Sequence, residues 1–306
     1  MFGLLASGCG GSSDETELPP PDVKKAEIAK ARKELREARR EARRTAAQKT
    51  RTLRNGSTEL NGFLNSLGGR AGAVVGPVGV AGPRMTGGNL TSGSAWSTIK
   101  VPIAQRVIAD AGGPSELTAE QSTQIQAALT LSDNEAAAAL FDGLSKTHGG
   151  VTQGSEAVGE MLGEAGDSTT IISTEGRDGF SSYGQTDWSL FEQNKYMSAL
   201  AGGCLADQPT TDYLLDQMSK VTSDTWGLGS VGLPAEWKGG WGPGTDGKYL
   251  VRQMGVVELE DGERLVITLA ATAPDGSFES GQAMATQIAG WVVENLAGDV
   301  APSAPC

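Results

Sequence analysis

Several residue types are scarce in this 306-residue chain, and each shortage narrows what it can be. It has one histidine, three cysteines and 5% aromatic residues. No run of about 18 apolar residues occurs, so there is no transmembrane span. Basic charge is nearly missing from the main body. Residues 24–54 hold 13 basic and 4 acidic residues, a net of +9, whereas residues 55–306 hold 12 basic and 29 acidic residues, a net of -17. A body so acidic argues against nucleic acid as a partner. What is present is a supply of Val, Ile, Leu and Ala in blocks that can form a core, beside 43 glycines. A collagenous or wholly disordered chain is thereby excluded.

The cysteines bear on compartment. The opening, from Met1 through Ala6-Ser7-Gly8-Cys9, resembles the end of a bacterial lipoprotein signal, in which small residues precede a cysteine that becomes lipidated. Ala6 stands where that pattern has Leu, and no basic segment or full apolar stretch precedes it, as though the signal began further upstream. The expectation is an extracytoplasmic protein, lipid-anchored through Cys9. Cys204 and Cys306 then remain as an even pair in an oxidising compartment, which predicts one disulfide.

Composition divides the chain into residues 1–22, a signal remnant and proline-rich linker; 23–54, a basic helical stalk; and 55–306, the main domain. In the stalk Ile28, Ala31, Leu35, Ala38 and Ala42 recur at spacings of three and four, a narrow stripe on a helix about 45 Å long. Such a helix suits an anionic surface, a coiled coil or a solvated spacer. A turn-rich break is expected over 55–70, then a short strand pair at 72–80 and 84–90, helices to about Gly166, a polar loop to Gly184, and a helix to Ala201. Strands at 249–259 and 264–272 and an amphipathic helix at 277–296 close the chain. Strands at both ends with helices between them predict an α+β fold, one antiparallel sheet assembled from both ends with a helical part beside it and the site between the two.

Three constellations carry chemistry. Ser97-Thr98-Ile99-Lys100 places a hydroxyl and an amine on one helix face, where an amine of lowered pKa takes the hydroxyl proton. Alone it means little, since about one Ser-x-x-Lys arises by chance in such a composition. Ser132-Asp133-Asn134 opens an Ala-rich helix and reads first as an N-cap, but this tripeptide is expected only about 0.03 times by chance. Lys238-Gly239-Gly240-Trp241, after Gly232-Leu233-Pro234-Ala235-Glu236-Trp237, reads in isolation as a glycine-rich turn with a surface lysine. The single His148, in Lys146-Thr147-His148-Gly149-Gly150, suits the last turn of a helix better than a catalytic triad.

Taken in order, these residues resemble the penicillin-recognising serine enzymes, the superfamily of class A β-lactamases and penicillin-binding proteins with signatures Ser-x-x-Lys, Ser-Asp-Asn and Lys-Thr-Gly. The resemblance covers roughly residues 65–300 and includes His148-Gly149-Gly150, Ala165-Gly166-Asp167 and the Gly232–Trp237 lead-in. It implies that Ser97 is the nucleophile and Lys100 its activating amine. Ser132 passes the proton to the leaving nitrogen, Asn134 contacts the substrate amide and Lys100, and Lys238 supports Ser132 and the substrate carboxylate electrostatically. The backbone N–H groups of Ser97 and Trp241 form the oxyanion hole, Gly239 and Gly240 border the substrate, and Arg252 or Lys248 holds its anionic end. No cofactor or metal is implied, and the partner is a β-lactam or a peptidoglycan stem peptide.

The chain also departs from the family. Only 35 residues separate Ser97 from Ser132, so the helical subdomain is shortened. Gly239 replaces a threonine whose hydroxyl helps hold the substrate carboxylate. Glu175 stands near the place of the family's loop base, but Gly179 replaces the asparagine four residues on that braces it. Acylation with slow deacylation follows from this pattern, and the alternative is a non-catalytic module of the same fold that binds a wall polymer or a protein.

Overall fold

The computed structural model describes residues 21–80, 82, 84–177, 179–300, 303 and 306, with backbone only for 21–28, 46 and 49. Cys9 and the lipoprotein-like opening lie outside the described residues. The chain divides into two compact units, Met1–Thr50 and Arg51–Cys306. Among the described residues no helix is long and apolar enough to cross a membrane.

Helix α1 runs Pro21–Ser66. It begins inside the expected linker because proline fits the first helical turn, where its missing N–H is not needed. In the first unit its described stripe positions Ala31, Leu35, Ala38 and Ala42 are exposed, and Lys30–Glu34 and Lys33–Glu37 pair one turn apart at 4.0 and 3.9 Å. The break expected at 55–70 is confined to residues 67–69. Leu53, Leu60 and Leu64 keep the helical period through Asn55 and Gly56, and burial of Leu60 and Leu64 outweighs the poor helix propensity of those two residues.

The second unit continues with β1 (Arg70–Pro77), β2 (Met85–Gly88), α2 (Lys100–Ala111), α3 (Ala119–Thr130), α4 (Asn134–His148), α5 (Val151–Glu164), α6 (Leu190–Ala201) and α7 (Gln208–Ser219). It ends with β3 (Ala235–Pro243), β4 (Tyr249–Glu258), β5 (Arg264–Thr272) and α8 (Phe278–Leu296). The five strands form one antiparallel sheet of order β2-β1-β5-β4-β3, built from both ends of the domain. Period-two alternation divides the sheet's residues between two cores. Leu265, Ile267, Leu269 and Ala271 join Met284, Ile288 and Val292 of α8 and the end of α1. Met254, Val256 and Val266 join Tyr196 and Met197 of α6 and the helical part beyond. Because both faces are covered, β4 and β5 read as nearly continuous apolar runs. Two elements escaped the sequence pattern: α7, with its weak apolar face, and β3, whose glycines read as a turn.

Asp133, Ser189, Asp207 and Ser277 cap α4, α6, α7 and α8, each side chain accepting a backbone N–H. Helix α2 has no side-chain cap, because the 3-10 turn Trp96–Ile99 runs directly into it. His148 ends α4, its Nε2 2.7 Å from Asp110, which also pairs with Arg106. Cys204 and Cys306 form the expected disulfide, with Cα atoms 5.4 Å apart and a sequence separation of 102. By loop-closure entropy such a link stabilises by up to about 4.7 kcal/mol.

Candidate active site

Ser97 lies in the 3-10 turn ahead of α2, partly open to solvent, while Lys100 is buried at the first residue of the helix. The turn is sharp. Trp96 has φ +49°, a conformation that costs an ordinary residue about 1–3 kcal/mol and tends to cluster at functional sites. The Lys100 ammonium donates to Ser132 O at 2.6 Å, Asp133 O at 3.1 Å and Asn134 Oδ1 at 2.8 Å. Burial, assisted by the charge of Lys238, lowers its pKa from 10.5 to about 7, so a neutral amine is within reach near neutrality.

The second motif faces the first across the turn before α4. Asp133 behaves as the sequence suggested for a cap, accepting from Ala136 N at 2.7 Å. Ser132 has φ +57°, the only described non-glycine residue besides Trp96 with positive φ. Its hydroxyl accepts from Lys238 Nζ at 3.0 Å. Lys238, on edge strand β3, also donates to Gly239 O at 2.9 Å and lies 3.8 Å from Asp224 Oδ1. Both side chains of this ion pair are fully buried. Burial lowers the Lys238 pKa, and Asp224 opposes that shift.

Two glycines of β3 answer to close approaches. A Cβ at Gly239 would lie 2.0 Å from Asp224 Oδ2, so the carboxylate fills the room that a threonine would need. At Gly240 a Cβ would lie 2.8 Å from Ser97 N and 2.9 Å from Ala95 O. The strand therefore presses against the backbone of Ser97. The Ser97 amide, at the start of an uncapped helical turn, belongs to the orphan donors of a helix N-terminus, which favour a developing negative charge.

Ser97, Lys100, Ser132 and Asn134 line one cleft of about 530 Å³, together with Trp96, Phe180, Tyr183, Trp241 and Tyr249. Two lysines, two hydroxyls and an amide thus converge from three segments widely separated in sequence, at the junction of the sheet and the helical part. The family model described as the beta-lactamase enzyme family matches residues 114–296. The chain belongs to that family.

Solved structures agree on the fold. A beta-lactamase from Chitinophaga pinensis is similar with TM-score 0.65 and 17% identity, over 78% of this chain and 98% of its own. The TLA-3 extended-spectrum beta-lactamase gives 0.63 and 14%, over 79% and 98%. PBP-A gives 0.61 and 20%, over 80% and 96%. Comparison with curated proteins finds no match.

Within this beta-lactamase-family frame, several expected site residues stand elsewhere. Arg252, expected at the substrate's anionic end, does not line the cleft. It is fully buried, and donates from Nη1 to Gly93 O and Ser94 O at 2.7 and 3.1 Å and from Nη2 to Trp188 O and Gln193 Oε1 at 3.0 and 2.9 Å. Gln193 in turn donates to Thr98 Oγ1 at 2.8 Å, so Arg252 braces the Ser97 turn from beneath. Burial lowers its pKa to about 9. Lys248 is exposed and does not line the cleft. Glu175 is also exposed and does not line it: only its backbone is tied down, the carbonyl accepting from Ser173 Oγ at 2.9 Å. Gly239 faces Asp224, while Trp237 is buried with its Nε1 donating to Asp224 O at 2.9 Å. Trp241 lines the cleft, and stacks on Phe278 with ring centres 5.6 Å apart.

Sequence reasoning missed Asp224 and, apart from Trp241, the cleft aromatics. Asp224 belongs to no motif. Its signal was indirect: a glycine where the family has a hydroxyl leaves a space that some other side chain must fill.

Proposed function

We propose that the protein is a serine acyl-transfer enzyme that forms an acyl-enzyme at Ser97 with β-lactams or peptide-stem amides and releases it slowly. Neutral Lys100 takes the Ser97 hydroxyl proton as Oγ bonds to the substrate carbonyl carbon, and the carbonyl oxygen becomes an anion facing the N–H groups of Ser97 and Trp241. As the tetrahedral intermediate collapses, the C–N bond breaks and Ser132 passes a proton to the departing nitrogen, its own hydroxyl being replenished from the Lys100–Lys238 side. Water later cleaves the Ser97 ester, returning the hydroxyl and freeing the acid. Asn134 holds Lys100 and presents its amide to the substrate.

The observation that carries this reading is the convergence of both lysines on Ser132, one on its carbonyl and the other on its hydroxyl. Slow deacylation is supported by the absence of a carboxylate among the described residues lining the cleft. A loosely placed base costs about a hundredfold in rate. Intact-protein mass spectrometry with a reporter penicillin, followed by peptide mapping, tests the proposal: a one-to-one adduct on Ser97 is expected, followed by turnover far slower than labelling. An adduct elsewhere, or none, overturns the nucleophile and leaves a binding module. Rapid turnover that collapses in Glu175→Gln overturns the slow step.

The proposal extends to an exported, lipid-anchored protein. The Cys204–Cys306 disulfide supports an oxidising compartment. In cells, Cys9→Ser is expected to move the protein from the membrane fraction to the soluble extracytoplasmic fraction. Retention in the membrane fraction would remove the lipid anchor.

A further inference from the structure

The cleft is rich in a residue type that the chain otherwise uses sparingly. Aromatic side chains make up 5% of the protein, six Trp, four Tyr and six Phe, yet five of the fifteen residues lining the cleft are aromatic. Trp96 and Phe180 meet edge to face at 5.2 Å, while Trp241 and Tyr249 both rest on Phe278 at 5.6 Å. Two walls of the cleft therefore offer ring surfaces already held in place by other rings, which suits flat, apolar groups at little ordering cost.

The positive charges that could receive a carboxylate are engaged. Lys238 is turned to Ser132, to its neighbour's carbonyl and to Asp224. Asp224 also occupies the position where a hydroxyl-bearing side chain at residue 239 would stand. Arg252 donates four hydrogen bonds to the protein's own carbonyl and amide oxygens. Arg177, beside the cleft, donates from Nε to Gln185 Oε1 at 3.0 Å and from Nη2 to Pro243 O at 2.5 Å. Its guanidinium lies 4.8 Å from the Phe180 ring centre and 5.7 Å from that of Trp96. Among the described lining residues the sole cation is Lys100, which is kept for the nucleophile. A substrate carboxylate would surrender its hydration and meet ring faces in exchange.

We propose that this cleft selects acyl donors whose group beside the scissile bond is uncharged and flat, an ester, amide or aryl group in the place where a penicillin or a D-alanyl stem carries a carboxylate. The proposal rests on Ser97 as the nucleophile, and the chemistry is unchanged: the serine oxygen acquires the acyl group, and the leaving nitrogen or oxygen departs with the proton.

A cephalosporin with an aromatic side chain, used as the free acid and as its methyl ester, tests this on the full chain. Acylation of Ser97 is followed by mass spectrometry, and each rate is divided by that compound's own rate with hydroxide. The ester is expected to react at least about tenfold faster than the acid. In Ser97→Ala, which cannot be acylated, quenching of tryptophan fluorescence is expected to report tighter binding of the ester, and Phe180→Ala in that background to weaken it severalfold. Equal rates, or preference for the acid, overturn the substrate class while leaving Ser97 in its role. Loss of acid labelling in Arg177→Met does the same by assigning the carboxylate to Arg177. If neither compound labels Ser97 yet the ester still binds more tightly to Ser97→Ala, the nucleophile fails and the selectivity stands. Equal binding in that variant overturns the selectivity.

Discussion

The two walls of the cleft are built to different standards. On one side, the Ser97 turn, the Ser132 turn and β3 are tied by three hydrogen bonds from Lys100, two from Lys238, a buried Lys238–Asp224 pair and the Arg252–Gln193–Thr98 brace. On the other, the loop through residues 173–181 brings ring faces and glycine, and leaves Glu175 exposed outside the cleft. The braced wall holds what a serine nucleophile needs to attack a carbonyl. The loop wall shapes what enters, and its described lining residues carry no carboxylate.

The most severe way to break this contrast is to remove the Ser97 hydroxyl proposed as the nucleophile. Ser97→Ala is expected to lower acylation by at least about a thousandfold. Labelling retained in that variant, followed by intact mass, would mean that the braced wall is not the reactive one. Removing the countercharge attacks the brace itself. Asp224→Ala leaves Lys238 buried without its partner and is expected to cost about 3–5 kcal/mol in urea unfolding, as breaking one side of a buried pair does. A loss below about 1 kcal/mol would show that Lys238 is held by Ser132 and the strand alone.

The acidity of Lys100 sharpens the comparison further. Its folded pKa of about 7 lies below the ordinary 10.5, so the ammonium predominates below pH 7 and the neutral base above it. Acylation is therefore expected to rise about tenfold per pH unit up to about 7 and then to level off. A profile still rising at pH 9 would place the lysine near its ordinary value. The smallest effect is expected on the loop wall: Glu175→Gln should change steady-state turnover by less than about twofold, measured with a chromogenic cephalosporin.

Much of the braced wall was legible in advance, for local reasons. Ser97 and Lys100 share a helix face by spacing alone, Asp133 caps by residue type, and the apolar period of β4, β5 and α8 gave their bounds to within a residue or so. Other elements were hidden by competition between local and tertiary terms. Asn55 and Gly56 read as a break, yet the helix continues through them because Leu60 and Leu64 bury on the far side. The glycines of β3 read as a turn, yet they are a strand's answer to Asp224 and to the Ser97 backbone.

By itself the sequence determined the family's three motifs and their order, the α+β plan, the pairing of Cys204 with Cys306 and the missing brace after Glu175. These are matters of residue identity, spacing and period, which a single chain carries in one dimension. Only the tertiary structure decided that Arg252 serves the protein rather than a substrate, that Asp224 fills the place of a hydroxyl, and that five scattered aromatics meet in one cleft. Each of those depends on which side chain reaches a given buried space first. Burial then fixes its charge state and its partners, and no spacing along the chain encodes that.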